Sequence, residues 1–225
     1  MMNRTTRVLD HRWDLTVSEA IALQRDMATR LILEDRLDAP RTVAGLDVAF
    51  PDRGATTRAA VVVMSLPGLE RLDEAVAEQP TRFPYVPGLL SFREVPALMM
   101  ALEQLKISPQ LLLCDGQGIA HPRRMGVACH LGLLTDLPSI GIGKSRLLGT
   151  HARVDETKGS RQPLIHRGET IGIVLRSRDR VRPILVSPGH RLGLQTAVDL
   201  TLACLGRFRL PEPIRAADHL AGHRP

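Results

Sequence analysis

Gln110-Leu-Leu-Leu-Cys-Asp-Gly-Gln-Gly118 runs almost wholly apolar from Gln110 to Cys114 and then stops at an acid and a glycine turn. So short and apolar a run suits a parallel strand buried on both faces. Ligands in open α/β sheets bind at the carboxyl ends of such strands, and Asp115 stands at that end. Two further acids close strand-like or apolar runs: Asp47 in Val43-Ala-Gly-Leu-Asp-Val-Ala49 and Glu94 in Ser91-Phe-Arg-Glu94. Carboxylates placed there are costly to bury unless a cation occupies the space between them. Oxygen-only ligands suit Mg²⁺, with Mn²⁺ able to substitute, and such hard ions share their sphere with substrate phosphates. The pattern points to phosphoryl chemistry. A lone strand-end Asp is more often an ordinary surface residue, but three acids with the same placement weaken that reading.

Outward from these acids the chain reads as α/β. Residues 15 to 37, with Leu15, Ala20, Leu23, Met27 and Leu31 at helical spacing, predict an N-terminal amphipathic helix used mostly for packing. Val43 to Phe50, a turn through Pro51-Asp-Arg-Gly54, and Ala59 to Ser65 predict an antiparallel pair, with a third strand near Leu69 to Ala77. The period of two sets Val43, Gly45, Asp47 and Ala49 on one face, where the small neighbours of Asp47 leave room for a ligand. Leu89 to Leu105 reads as a helix with Ser91 as N-cap and Glu94 three residues on, a capping-box spacing. Capping would use Glu94 locally, whereas metal binding needs it to point back at the sheet, and spacing leaves both open. Further on come a helix over residues 122 to 135 opened by Pro122, a strand at Ser139 to Gly143, and a hairpin of Thr170 to Leu175 with Pro183 to Ser187. Helices follow at Leu192 to Leu205 and Pro213 to Leu220. No internal repeat is present.

The 225 residues show no Ser/Gly linker, so one domain spanning the chain is expected. Hydrophobic residues at 44% and charged residues at 24% fit an ordinary globular protein. No run is long enough to span a bilayer, and the N-terminal segment, with Asp10, His11 and Asp14, lacks the apolar core of a signal peptide. A cytoplasmic monomer with no membrane partner is expected. Cys114, Cys129 and Cys204 are odd in number, widely spaced and flanked by apolar residues, which predicts buried free thiols. A net charge of +6 favours a polyanionic partner. With aromatics at only 3%, a row of stacking platforms along a single strand is not expected.

Several blocks together carry a resemblance: Gly45-Leu-Asp-Val-Ala49, Tyr85-Val-Pro-Gly-Leu-Leu-Ser-Phe-Arg-Glu94, Asp115-Gly-Gln-Gly-Ile-Ala-His-Pro-Arg-Arg-Met-Gly-Val-Ala-Cys-His-Leu-Gly132, Gly141-Ile-Gly-Lys-Ser145, Ser187-Pro-Gly-His190 and Leu210-Pro-Glu-Pro-Ile-Arg-Ala-Ala-Asp218. In this order, over about residues 15 to 218, the chain resembles the endonuclease V family of deoxyinosine-directed repair nucleases. The resemblance implies a ribonuclease-H-like fold, a mixed sheet whose first strands are antiparallel, with helices on both sides. It implies a metal held by Asp47 and Asp115 and completed by Glu94, with Asp218 at the family's fourth position. Lys144 would set a point charge beside the scissile phosphate; the alternative is a solvated lysine.

A base-reading enzyme needs a wedge and a pocket for the flipped base. Tyr85, held between Pro84 and Pro87 on a Gly-ended loop, suits the wedge. By resemblance the hypoxanthine pocket is mainly backbone, from Gly88 and Leu90 on one side and Gly116 and Val127 on the other. His121 and His130 could contact the substrate backbone or serve as ordinary hydrogen-bonding residues; His190 is weighed the same way. Arg123-Arg124, at a helix start, would meet phosphates or solvent. The implied activity is Mg²⁺-dependent nicking of DNA at the second phosphodiester 3′ to deoxyinosine. Competing readings are an inosine-specific endoribonuclease, another ribonuclease-H-like nuclease such as a resolvase, or a non-catalytic nucleic-acid binder. The intact acids argue against the last.

Overall fold

Thr16 opens the first helix, α1 (Val17–Ala28), through a reciprocal cap: its hydroxyl accepts from the Glu19 N–H and the Glu19 carboxylate accepts from the Thr16 N–H. The helix expected to reach residue 37 stops at Ala28. Beyond it the backbone bonds across to the segment at Arg191 (Arg191 N–H to Ile32 O, 2.7 Å; Arg36 N–H to Arg191 O, 2.9 Å), and those tertiary bonds replace helical ones. The computed structural model describes residues 9–222. The first eight and last three residues, included in the one-domain expectation, lie outside the described residues.

Strand β1 (Thr42–Ala49) pairs antiparallel with β2 (Thr56–Ser65), and β2 with β3 (Arg71–Pro80). The third strand begins later than Leu69, because Leu69 has φ +55° and belongs to the turn. Helix α2 (Leu90–Gln104) leads into β4 (Leu111–Asp115), which lies parallel to β1. The capping box that the spacing of Ser91 and Glu94 left open is absent. Leu89 occupies the cap position without a side-chain bond, and the buried Ser91 hydroxyl instead bonds His130 Nδ1 at 3.0 Å. Helix α3 (Val127–Thr135) starts five residues after Pro122, since Arg124 at φ +57° breaks any earlier turn of helix.

Strand β5 (Ser139–Gly143) is parallel to β4, and β6 (Arg161–His166), β7 (Glu169–Leu175) and β8 (Ile184–His190) complete the sheet. The hairpin of β7 with β8 forms as expected. β6 was not legible, because Pro163 and the charged Arg161 interrupt its apolar pattern; as the outermost strand it tolerates a proline. Helices α4 (Leu194–Ala203) and α5 (Glu212–Gly222) follow.

The eight strands run in the order β3-β2-β1-β4-β5-β8-β7-β6. Strand alternation divides the core into two layers. Ala44, Leu46, Val61, Val63, Leu112 and Cys114 pack under α2 and α3, while Val43, Val62, Leu111, Leu113 and Ile140 pack under α4 and α5. This is the expected ribonuclease-H-like mixed sheet with helices on both faces. All three cysteines are buried free thiols. Among the described residues no helix is long and apolar enough to cross a membrane.

Candidate functional site

Leu46 is paired with Cys114 in the parallel register of β1 and β4, so Asp47 and Asp115 follow side by side at the carboxyl ends of adjacent strands. Asp218 arrives from α5, which covers the sheet face that Asp47 and Asp115 share. Helix α5 lies so close to β1 that a Cβ on Gly45 would come within 1.9 Å of the Pro213 carbonyl oxygen, and this contact brings Asp218 over the strand ends. One carboxylate oxygen from each of Asp47, Asp115 and Asp218 lies within 4.8 Å of the others. Lys144, the first residue after β5, donates to Asp218 Oδ1 at 3.1 Å and to Asp115 Oδ2. Glu94 is buried on α2 and lines the same cleft, but outside that close trio. Asp218, which the resemblance set at the family's fourth position, thus stands in the closest group.

Burial, and then the neighbouring Asp115, push the Asp47 carboxyl up to about 7. Burial also raises Asp115, partly offset by Lys144. Glu94 is raised well above the usual carboxylate range by burial and by Asp47 and Asp115. Burial opposes the charge of Lys144, but its bond to Asp115 outweighs that and raises the ammonium. Burial also opposes the Asp218 charge, yet Lys144 holds that carboxyl low. Four acids face one ammonium. The remaining negative charge and the all-oxygen donor set fit a hard divalent cation.

A cleft of about 440 Å³ extends from these acids. Tyr85 is 71% exposed at its rim, on the loop that precedes α2. Pro87, Gly88, Leu90, Gly116 and Val127 all line it, and Gly116 and Val127 adjoin, a Cβ on Gly116 falling 2.6 Å from Val127 Cγ1. Buried His121 sits against Gly88. Its Nδ1 accepts from the Arg123 and Met125 N–H groups, so Nε2 carries the proton and donates to Gly88 O at 2.9 Å. Burial and Arg123 press its pKa down to about 4, which keeps the ring neutral.

Other sequence candidates do not reach the cleft. His130 is fully buried between Ser91 and His11 Nε2 (2.8 Å), with Trp13 stacked on it, so it has no route to a substrate backbone. His190 is likewise buried, against the Ile32 N–H and Asp136. Arg123 and Arg124 are half-buried, and both bond within the protein. Arg123 donates to Gly88 O and Gln24 Oε1, and Arg124 pairs with Glu169. Sequence reasoning passed over Gln24, counted with a packing helix, and Arg209, whose guanidinium holds the Lys144, Arg182 and Pro183 carbonyls. The one available signal for Gln24 was an amide set in the apolar stripe of Ala20 and Met27.

A family model described as Endonuclease V matches residues 25–219. The chain belongs to the endonuclease V family. It is therefore an endonuclease cleaving phosphodiester bonds, and metal dependence is general in that family. An endonuclease V of Nostoc punctiforme is 54% identical over 213 residues, covering 94% of this chain and 96% of that one. The crystal structure of a Streptomyces avermitilis endonuclease V superposes with a TM-score of 0.89 at 41% identity, covering 96% of each chain. A Ciona intestinalis endonuclease V, solved in complex with a 24mer DNA containing an inosine followed by a ribo-adenosine, superposes at 0.81 with 27% identity, covering 91% of this chain and 95% of that one.

Proposed function

We propose that this endonuclease V recognises deoxyinosine in DNA and nicks the strand at the second phosphodiester on the 3′ side. The observation that carries the reading is the junction of the acidic trio with a cleft whose walls present backbone groups and whose rim presents one exposed tyrosine. Asp47 and Asp115 would hold Mg²⁺, with Asp218 and Glu94 completing the site; Mn²⁺ has the same donor preference. When bound, that ion lowers the pKa of a water and neutralises charge on the departing oxygen.

The protein's own groups supply the rest. Lys144 places an ammonium beside the trio, where it meets the scissile phosphate as a point charge. Tyr85, free of packing on most of its surface, fills the gap left by an extruded base. Gly88, Leu90, Gly116 and Val127, all of which line the cleft, would bound the space taken by that base. Hypoxanthine differs from adenine in its hydrogen-bonding edge, and fixed backbone donors and acceptors can read that edge without any side chain.

Matched strands test this. Duplex DNA with one deoxyinosine, the same duplex with deoxyadenosine, and an RNA strand with one inosine are incubated with Mg²⁺ or with EDTA. The expected result is a metal-dependent nick confined to the inosine DNA. Preferential cleavage of the RNA would assign the site to an endoribonuclease, and tight binding without cutting would make the protein a binder.

A further inference from the structure

Gln24 is 1% exposed, buried on the stripe of α1 that also carries Ala20 and Met27. A primary amide in such a place is unfavourable unless its groups are all bonded. Here they are. Nε2 donates to Gly88 O at 3.1 Å and to Met125 O at 3.1 Å, and Oε1 accepts from Arg123 Nε at 2.5 Å. The orientation of the amide is forced, because the rotated form would set its oxygen against two carbonyls and its nitrogen against a guanidinium N–H.

The two carbonyls belong to two separate segments that both line the cleft, the Tyr85 loop and the turn before α3. Gly88 lies on the loop that carries Tyr85, at φ +79°, where its carbonyl also accepts from His121 Nε2 and from Arg123 Nη2 at 2.6 Å. Met125 is followed by Gly126 and Val127, and all three line the cleft. One amide nitrogen therefore ties the two segments to each other at a fixed separation, while Arg123 prevents the amide from rotating. A pocket that reads a base through backbone groups has no side chain to adjust its fit, so selectivity depends on the separation of the segments that line it.

We propose that Gln24 is a positioning residue that sets the spacing of the two base-reading segments and thereby the preference for hypoxanthine over adenine. The inference rests on the inosine reading above. It assigns a specificity role to a residue one position before the span matched by the family model.

The test is the ratio of dissociation constants of the full-length protein for two duplexes that differ only in deoxyinosine or deoxyadenosine, measured by fluorescence anisotropy in metal-free buffer. Gln24→Met keeps the volume and removes every bond; Gln24→Glu keeps the acceptor for Arg123 and removes both donors, so it decides the matter if the Met variant does not fold. Each should lower the ratio by about tenfold, the scale of one or two lost hydrogen bonds, with affinity for the adenine duplex unchanged. A ratio equal to the wild-type one in either folded variant would overturn the inference, as would an equal loss of affinity for both duplexes. Wild-type protein with no preference would overturn the inosine reading, and this inference with it.

Discussion

Lys144 is bonded to two carboxylates, and its value to catalysis lies in charge that develops on the phosphate rather than in the ground state. Lys144→Ala should lower the single-turnover rate on inosine DNA by about a hundredfold or more, while the preference for inosine stays nearly unchanged, because phosphate contacts carry no base information. Lys144→Arg should restore the rate only in part, since a planar fork cannot replace a point charge between two acids. An unaltered rate in the Ala variant would return the residue to a purely structural ion pair. Asp47 gives a prediction about stability. Its carboxyl has a reference value of 3.8 and is held at about 7 in the folded protein. Between those values the folded state keeps a proton that the unfolded chain has released, so metal-free protein should lose stability as pH rises from about 4 to about 7. Thermal melts in EDTA across that window check the sign. Asp47→Asn should flatten the profile, and added Mg²⁺ at neutral pH should raise the melting temperature by offsetting the repulsion.

At the scale of elements, the decisive contact is between β1 and α5. Gly45 has no Cβ, and the Pro213 carbonyl occupies the place where one would stand. Gly45→Ala must push the start of α5 outward and carry Asp218 with it. We expect a destabilisation of about 1–3 kcal/mol, the usual scale of overpacking, and a drop in nicking larger than the loss of folded protein explains. Chemical denaturation alongside single-turnover kinetics separates the two effects. Activity that merely follows the folded fraction would mean that Asp218 can be displaced without consequence. The wedge loop obeys a similar logic, since Gly88 at φ +79° has Arg123 Nη2 only 2.8 Å from where a Cβ would lie. Its carbonyl gathers three side-chain donors, which ties the loop to α1 and to the turn before α3.

For the whole molecule, the relevant quantity is the net charge of +6 against a polyanion. Its contribution to binding comes from counterion release and is blind to sequence. Raising the salt from about 50 to about 200 mM should therefore weaken binding to inosine and adenine duplexes by similar factors, leaving their ratio unchanged. Anisotropy titrations at several salt concentrations give both slopes. A ratio that collapses with salt would place the discrimination in phosphate contacts and remove it from the cleft.

Local chemistry made much of this molecule legible in its sequence. The apolar runs ending at Asp47 and Asp115 announced strands with acids at their carboxyl ends, and alternation placed Gly45 and Asp47 on one face. Tyr85 could be singled out because prolines stiffen its loop and no other tyrosine exists. Ambiguity began where two local uses compete. Ser91 and Glu94 carry a capping signature, yet Ser91 is spent on His130 and Glu94 is buried beside the acids, because packing of α2 against α3 outweighs a cap. Helix length also escaped, since α1 ends where the backbone bonds the segment at Arg191, more than 150 residues away. The closeness of Asp218 to Asp47 and Asp115, and the reach of Gln24 between two segments, are long-range facts. Periodicity reports which face a residue takes, but which residues meet is decided only when α1 and α5 pack, because hydrogen bonds and charge pairs depend on distances that the chain acquires on folding.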